Sequence, residues 1–124
     1  MKQILLVGLG GGIGSIFRFL TSFCVNKYLN PGSFPLATFV VNILGCLLIG
    51  LFAGLAVRYE LLDRNFNLLF VTGFCGGYTT FSTFSSENMQ LLEANNYPVF
   101  TFYVLSSILI GMLAVWIGFL LSKV

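Results

Sequence analysis

Apolar residues in this chain fall into four long runs separated by short polar stretches. The first extends from about Gln3 to Cys24 and the second from about Phe34 to Val57. The third covers roughly Phe66 to Leu92, and the fourth roughly Pro98 to Leu121. A helix needs about 20 apolar residues to cross the hydrocarbon core of a bilayer, and each run is long enough. Asn26-Lys27-Tyr28 closes the first run, Asn30-Pro31-Gly32 predicts a turn, and Arg58-Tyr59-Glu60 stops the second. Pro98 suits a helix start, where its missing N–H costs nothing. The connections are short, so neighbouring helices are expected to be antiparallel. The expected fold is an all-α membrane protein: four transmembrane helices in a single domain, 1–124, with no room for a separate soluble one.

Composition agrees with lipid as the solvent. Residues are 57% hydrophobic and 8% charged, against roughly a quarter charged in a soluble domain. Most charges sit at the ends of the runs, and only Arg18 and Glu87 fall well inside one. The net charge of +2 is small and scattered, which argues against nucleic-acid binding. Lys2, Arg58, Arg64 and Lys123 collect on the side of the termini, opposite Lys27 and, if it snorkels, Arg18. The amino-terminal run shows no clear cleavage site followed by a soluble domain, so it is expected to be a retained span. Cys24, Cys46 and Cys75 lie among apolar residues, and the chain has no His. Packing, rather than a disulfide framework or zinc, is the reading for them.

Glycines recur four apart: Gly8/Gly12 and Gly10/Gly14, then Gly50/Gly54, then Gly73/Gly77. Such pairs let helix backbones approach closely in lipid. The glycines from Gly8 to Gly14 superficially suggest a dinucleotide loop, but no strand precedes them and no acidic residue follows at the required distance.

The third run carries the chemistry. Gly76-Gly77-Tyr78-Thr79-Thr80 disfavours continuous helix at mid-membrane depth. Unwound backbone is tolerated there only when buried in protein or lining a cavity or ion site. A break is favoured over a kinked helix, because the hydroxyls of Ser82, Thr83, Ser85 and Ser86 persist beyond it. Phe81 and Phe84 share a helix face, as do Thr80, Thr83 and Glu87. By themselves the two rings read as packing. Asn42 lies midway through the second run, and an amide in hydrocarbon is costly unless paired. Tyr103, Ser107 and Gly111 form a stripe on the fourth.

The run from Gly73 to Phe84 resembles the signature of the small microbial fluoride channels called Fluc or CrcB. The segments from Gly10 to Arg18 and from Thr38 to Gly45 are similar to that family's patterns too. Tyr78 departs from them, standing where a leucine-like residue is common. The resemblance covers nearly the whole chain. It implies an antiparallel, dual-topology homodimer with two fluoride pores and a structural Na⁺ at its centre. Backbone carbonyls of Gly76 and Thr79 would hold the Na⁺. Asn42, Phe81 and Phe84 would be pore residues, Ser82, Thr83, Tyr103 and Ser107 would line the pore, and Glu87 would be a vestibule acid. Arg18 either forms a basic mouth or simply snorkels. The implied function is passive, fluoride-selective export across a bacterial plasma or inner membrane, lowering fluoride toxicity. The physics fits: fluoride is costly to dehydrate, and amide N–H, hydroxyl and aromatic-edge groups can replace its water.

The main alternative is a proton-coupled small-ion transporter titrating Glu87. A small multidrug exporter needs an acidic residue in the first span, which is lacking. A non-transporting assembly subunit leaves the hydroxyl-rich third run unexplained. No nucleophile–base pair can be proposed, so the chain is not expected to be an enzyme.

Overall fold

The structure is a computed structural model that describes residues 1–29, 32–59 and 63–124. The turn expected at Asn30-Pro31 and the stop at Glu60 lie partly outside those residues. Every regular element is helical among the described residues. Helix α1 is Lys2–Tyr28 and α2 is Leu36–Arg58. Residues 64–78 form a rod, α3, in which a π-wound stretch Asn67–Cys75 lies between the α-helical turns Arg64–Phe66 and Gly76–Tyr78. Helix α4 is Phe81–Glu93 and α5 is Tyr97–Leu121. Of these, α1, α2 and α5 are long and apolar enough to cross a membrane, at 27, 23 and 25 residues.

Local chemistry sets the ends. Asp63 caps α3, its Oδ1 accepting from the Phe66 N–H at 3.0 Å. That bond, together with one from the Asn65 amide, holds the Asp63 carboxyl below its ordinary pKa. Thr80 caps α4, its Oγ1 accepting from the Thr83 N–H at 3.2 Å. After α4 the chain reverses through Asn95, in the left-handed region at φ 55, and Pro98 sits in the first turn of α5.

The helices pack as two parallel pairs. Helices α2 and α5 lie side by side, tied at one end by Arg58 Nη1 donating to the Ser122 carbonyl at 2.8 Å. Near their other ends, Asn96 Nδ2 donates to Ser33 Oγ at 3.2 Å. A Cβ on Gly50 would run into the Val115 carbonyl, and one on Gly118 into that of Leu47. In the second pair, α1 and α3 meet through Gly10, Gly14, Gly73 and Gly77, with the Gly10 and Gly73 backbones nearly touching. The Gly8/Gly12 pair differs from expectation: it faces outward, with nothing within 4 Å of either added Cβ.

The break also falls later than the glycines suggest. Gly76 and Gly77 stay helical, and the extended residues are Thr79 (φ −80, ψ 159) and Thr80 (φ −150, ψ 112). Gly77 is wound against the Gly11 backbone, where its lack of a side chain allows close packing, so the glycines mark a contact rather than the unwinding.

The exterior is greasier than the interior. Phe19 is 68% exposed, Leu109 66% and Met112 69%, while Tyr103, Val41 and Cys75 are the largest fully buried side chains. Such a surface suits lipid rather than water.

Candidate functional site

The extended pair Thr79–Thr80 lies where α2, α3, α4 and α5 converge, with a cavity on each side. The first, ≈ 310 Å³, is lined by Asn42, Thr79, Thr80, Phe81, Phe84 and Ser107, with Cys46 among the apolar remainder. The Phe81 and Phe84 rings lie 5.9 Å apart, and Phe84 lies 4.9 Å from the Tyr103 ring. Ring edges are electropositive. Phe81 is 79% exposed, so the rest of the chain scarcely covers it.

The second cavity, ≈ 260 Å³, is lined by Ser15, Arg18, Ser22, Thr38, Thr80 and Thr83. Arg18 does not reach out to an interface as a free snorkelling chain: its Nη1 donates to the Thr79 carbonyl at 3.2 Å. Its remaining N–H groups give that cavity a positive wall. Ser15 Oγ donates to the Gly77 carbonyl at 3.4 Å. Helix α1 therefore holds the carbonyl end of α3.

Glu87, half-buried on α4, ties that helix to α2 and α5. Thr38 Oγ1 donates to its Oε1 at 2.6 Å, and the Tyr103 hydroxyl donates to its Oε2 at 2.8 Å. Ser82 is exposed on α4, with Oγ 3.4 Å from Thr80 Oγ1. Gly76 is exposed as well and lines neither cavity. The sequence-derived residues thus divide. Asn42, Thr79, Phe81, Phe84 and Ser107 converge on one cavity, Arg18 and Thr83 on the other, and Glu87 with Tyr103 forms a hydrogen-bonded brace.

Thr38, Ser15 and Ser22 are polar groups at the site that sequence reasoning did not single out. Helical spacing was the available signal, since Thr38 lies one turn before Asn42 and Ser22 one turn after Arg18. Tyr78, the departure from the family pattern, is buried, with its hydroxyl 3.1 Å from Thr21 Oγ1. It packs the back of α3 and takes no part in either cavity.

The fold and site define a multi-pass α-helical membrane protein with a broken helix at its polar centre. Residues 5–119 match the family described as CrcB-like protein, Camphor Resistance (CrcB), and the chain belongs to that family. It is 48% identical over 123 residues to the "Fluoride-specific ion channel FluC" of Azobacteroides pseudotrichonymphae, covering 99% of this chain and 98% of that one. A protein of the same name from Flavobacterium psychrophilum is 46% identical over 123 residues, with 99% and 98% covered. One from Bacteroides fragilis is 49% identical over 120 residues, with 95% and 94% covered.

Proposed function

We propose that the chain is a passive, fluoride-selective ion channel, a membrane protein rather than an enzyme. It exports fluoride across a bacterial plasma or inner membrane and so lowers its toxicity. The observation that carries this reading is the cavity at the break, in a chain whose full-length relatives are named fluoride-specific ion channels. There Asn42, Thr80, Ser107 and two phenylalanines line a mostly apolar space with no fixed cation among the lining residues. Donors replace the water that fluoride gives up, and without a permanent positive charge the ion is not trapped. A route that closes around a dehydrated fluoride would disfavour the larger chloride.

Residues 64–93 serve as the fourth crossing. Because α2 and α5 run parallel, the segment between them returns the chain to the other face. Neither α3 nor α4 reaches across alone, since α4, at 13 residues, is about 20 Å long. The assembly is an antiparallel, dual-topology homodimer. Supporting this, α4 carries an exposed ring at Phe81 and exposed hydroxyls at Ser82, Ser85 and Ser86, which are costly to leave in lipid. A second copy would cover them.

A structural Na⁺ belongs to this reading, and the Gly76 and Thr79 carbonyls of both subunits would hold it. The donor chemistry suits it: these are hard oxygens, and the Thr80 N–H that would bond Gly76 in an unbroken helix turns to Asn42 instead. Thr79 fits less simply, because its oxygen already accepts from Arg18. The ion's contribution is to neutralise converging carbonyl dipoles. A proton-coupled carrier titrating Glu87 finds no support in the relatives' names, and both oxygens of that carboxylate accept hydroxyl hydrogen bonds.

The test is efflux from liposomes containing the purified chain alone. Fluoride should leave down its own gradient or the membrane voltage, with chloride largely retained. Equal chloride and fluoride fluxes would remove the selectivity, and a strict need for a proton gradient would replace the channel with a carrier.

A further inference from the structure

One side chain holds the second half of the break. Asn42 Nδ2 donates to the Thr80 carbonyl at 3.1 Å, and Asn42 Oδ1 accepts from the Thr80 N–H at 2.9 Å. A single carboxamide therefore engages both main-chain polar groups of Thr80, as a paired residue on a neighbouring β-strand would. This has a direct effect on winding. In a continuous helix the Thr80 N–H would bond the Gly76 carbonyl. Bound to Asn42, it leaves Thr80 extended at φ −150 and ψ 112, and α4 starts at the next residue.

What Thr80 does next depends on being held there. Its Oγ1 caps α4 through the Thr83 N–H, so the position of Thr80 sets where α4 begins and which way Phe81 and Phe84 point. Thr80 also lines both cavities, the one bearing Arg18 and the one bearing the rings, and so forms part of the wall between them. Gly45, one turn along α2 from Asn42, is bare where the Thr79 methyl approaches, so the same face of α2 accommodates both extended residues.

We infer that Asn42 is the positioning residue of the break: its carboxamide pins Thr80 extended and thereby fixes the wall between the two cavities and the aim of the two rings. This rests on the channel reading and deepens it. Asn42 reaches the ion with only the Nδ2 hydrogen that Thr80 leaves free, and most of its effect on conduction passes through the backbone it holds.

Amide hydrogen exchange and flux together test this on the purified full-length protein. In Asn42→Ala, the Thr80 amide should exchange about tenfold faster, the loss of one part-buried hydrogen bond. The fluoride-to-chloride flux ratio should fall with it. Asn42→Asp keeps an oxygen for the Thr80 N–H but loses the Nδ2 bond and sets a carboxylate against the Thr80 carbonyl, so Thr80 should lose protection here too, and the added negative charge should cut fluoride throughput. If Asn42→Ala does not fold, full retention of Thr80 protection in Asn42→Asp would overturn the inference by itself. So would unchanged Thr80 exchange in Asn42→Ala, whatever its flux. A wild-type protein that shows Thr80 protection dependent on Asn42 yet conducts no fluoride would instead defeat the channel reading and leave the clamp standing.

Discussion

At the scale of single residues, the glycines of this chain are not interchangeable, and their surroundings say which ones the subunit needs. A Cβ on Gly77 would lie 2.8 Å from Gly11 Cα and 2.9 Å from its carbonyl carbon, against backbone that cannot swing aside. Gly76, its neighbour, has nothing within 4 Å of the same added atom. Gly77→Val should therefore force α1 and α3 apart and destabilise the subunit by about 2 kcal/mol, in the range for overpacking. Gly76→Ala should leave subunit stability within a few tenths of a kcal/mol, the range for an exposed site away from other contacts. Thermal unfolding in detergent compares the two directly. Equal destabilisation would mean that α1 and α3 do not meet through Gly11 and Gly77. Sequence spacing identified the Gly73/Gly77 pair as a close contact, but it could not tell Gly76 from Gly77 by direction, nor foresee that Gly8/Gly12 faces outward. Both distinctions depend on which side of a helix meets a partner.

At the scale of elements, α3 begins with a titratable cap. Asp63 accepts from the Phe66 N–H and from Asn65 Nδ2 at 2.7 Å, and these bonds lower its pKa. A depressed carboxylate stabilises the folded form above its unfolded value of about 4. That contribution fades as pH falls through the lowered folded value. Asp63→Asn keeps a capping oxygen and removes the titration. The wild-type Phe66 amide should lose protection on acidification below about pH 4, after correction for intrinsic exchange, whereas in the Asp63→Asn variant it stays level. Parallel acid responses in both proteins would show that the cap does not govern this turn. The long helices were legible in the sequence because twenty-residue apolar runs leave little freedom in a bilayer. The site was legible in part. Asn42 and Ser107 stood out as polar chemistry in hydrocarbon, whereas Phe81 and Phe84 read as packing apart from the family resemblance, and the four share a cavity. The break was expected within Gly76 to Thr80 and falls at the far end of that stretch, at Thr79–Thr80, a placement that propensity alone does not single out. The residues that decide it are Asn42, 38 positions before Thr80 along the chain, and the α1 backbone beneath Gly77. The brace from Thr38 to Glu87 to Tyr103 is likewise a tertiary fact, joining three helices through hydroxyls that look ordinary one at a time.

At the scale of the whole molecule, Phe81 and Gly76 near the break are exposed in the single chain, and the way the proposed dimer would cover them sets the last prediction. The break presents the Thr79 carbonyl to Arg18, while Gly76 lies exposed on the same rod. In the proposed antiparallel dimer, carbonyls from two such rods converge, and carbonyls aimed at one point repel unless a cation lies between them. Two cations are available for that role, a bound Na⁺ and the tethered guanidinium of Arg18. They make different demands. If Na⁺ holds the centre, exchanging it for a large organic cation should weaken the wild-type dimer and reduce fluoride flux together. Arg18→Gln should then change vestibule charge and conduction while leaving the Na⁺ dependence in place. If Arg18 supplies the balancing charge, the wild-type dimer should be indifferent to Na⁺, and dependence on it should emerge only in Arg18→Gln. Dimer dissociation in detergent and fluoride efflux, each measured in both ionic media for both proteins, separate these cases. Indifference of both proteins after thorough Na⁺ depletion, with no bound cation detected, would rule out a structural ion at the break. The proposed fluoride route through Asn42, Phe81 and Phe84 would stand unaffected, because the cavity those residues line does not include Gly76.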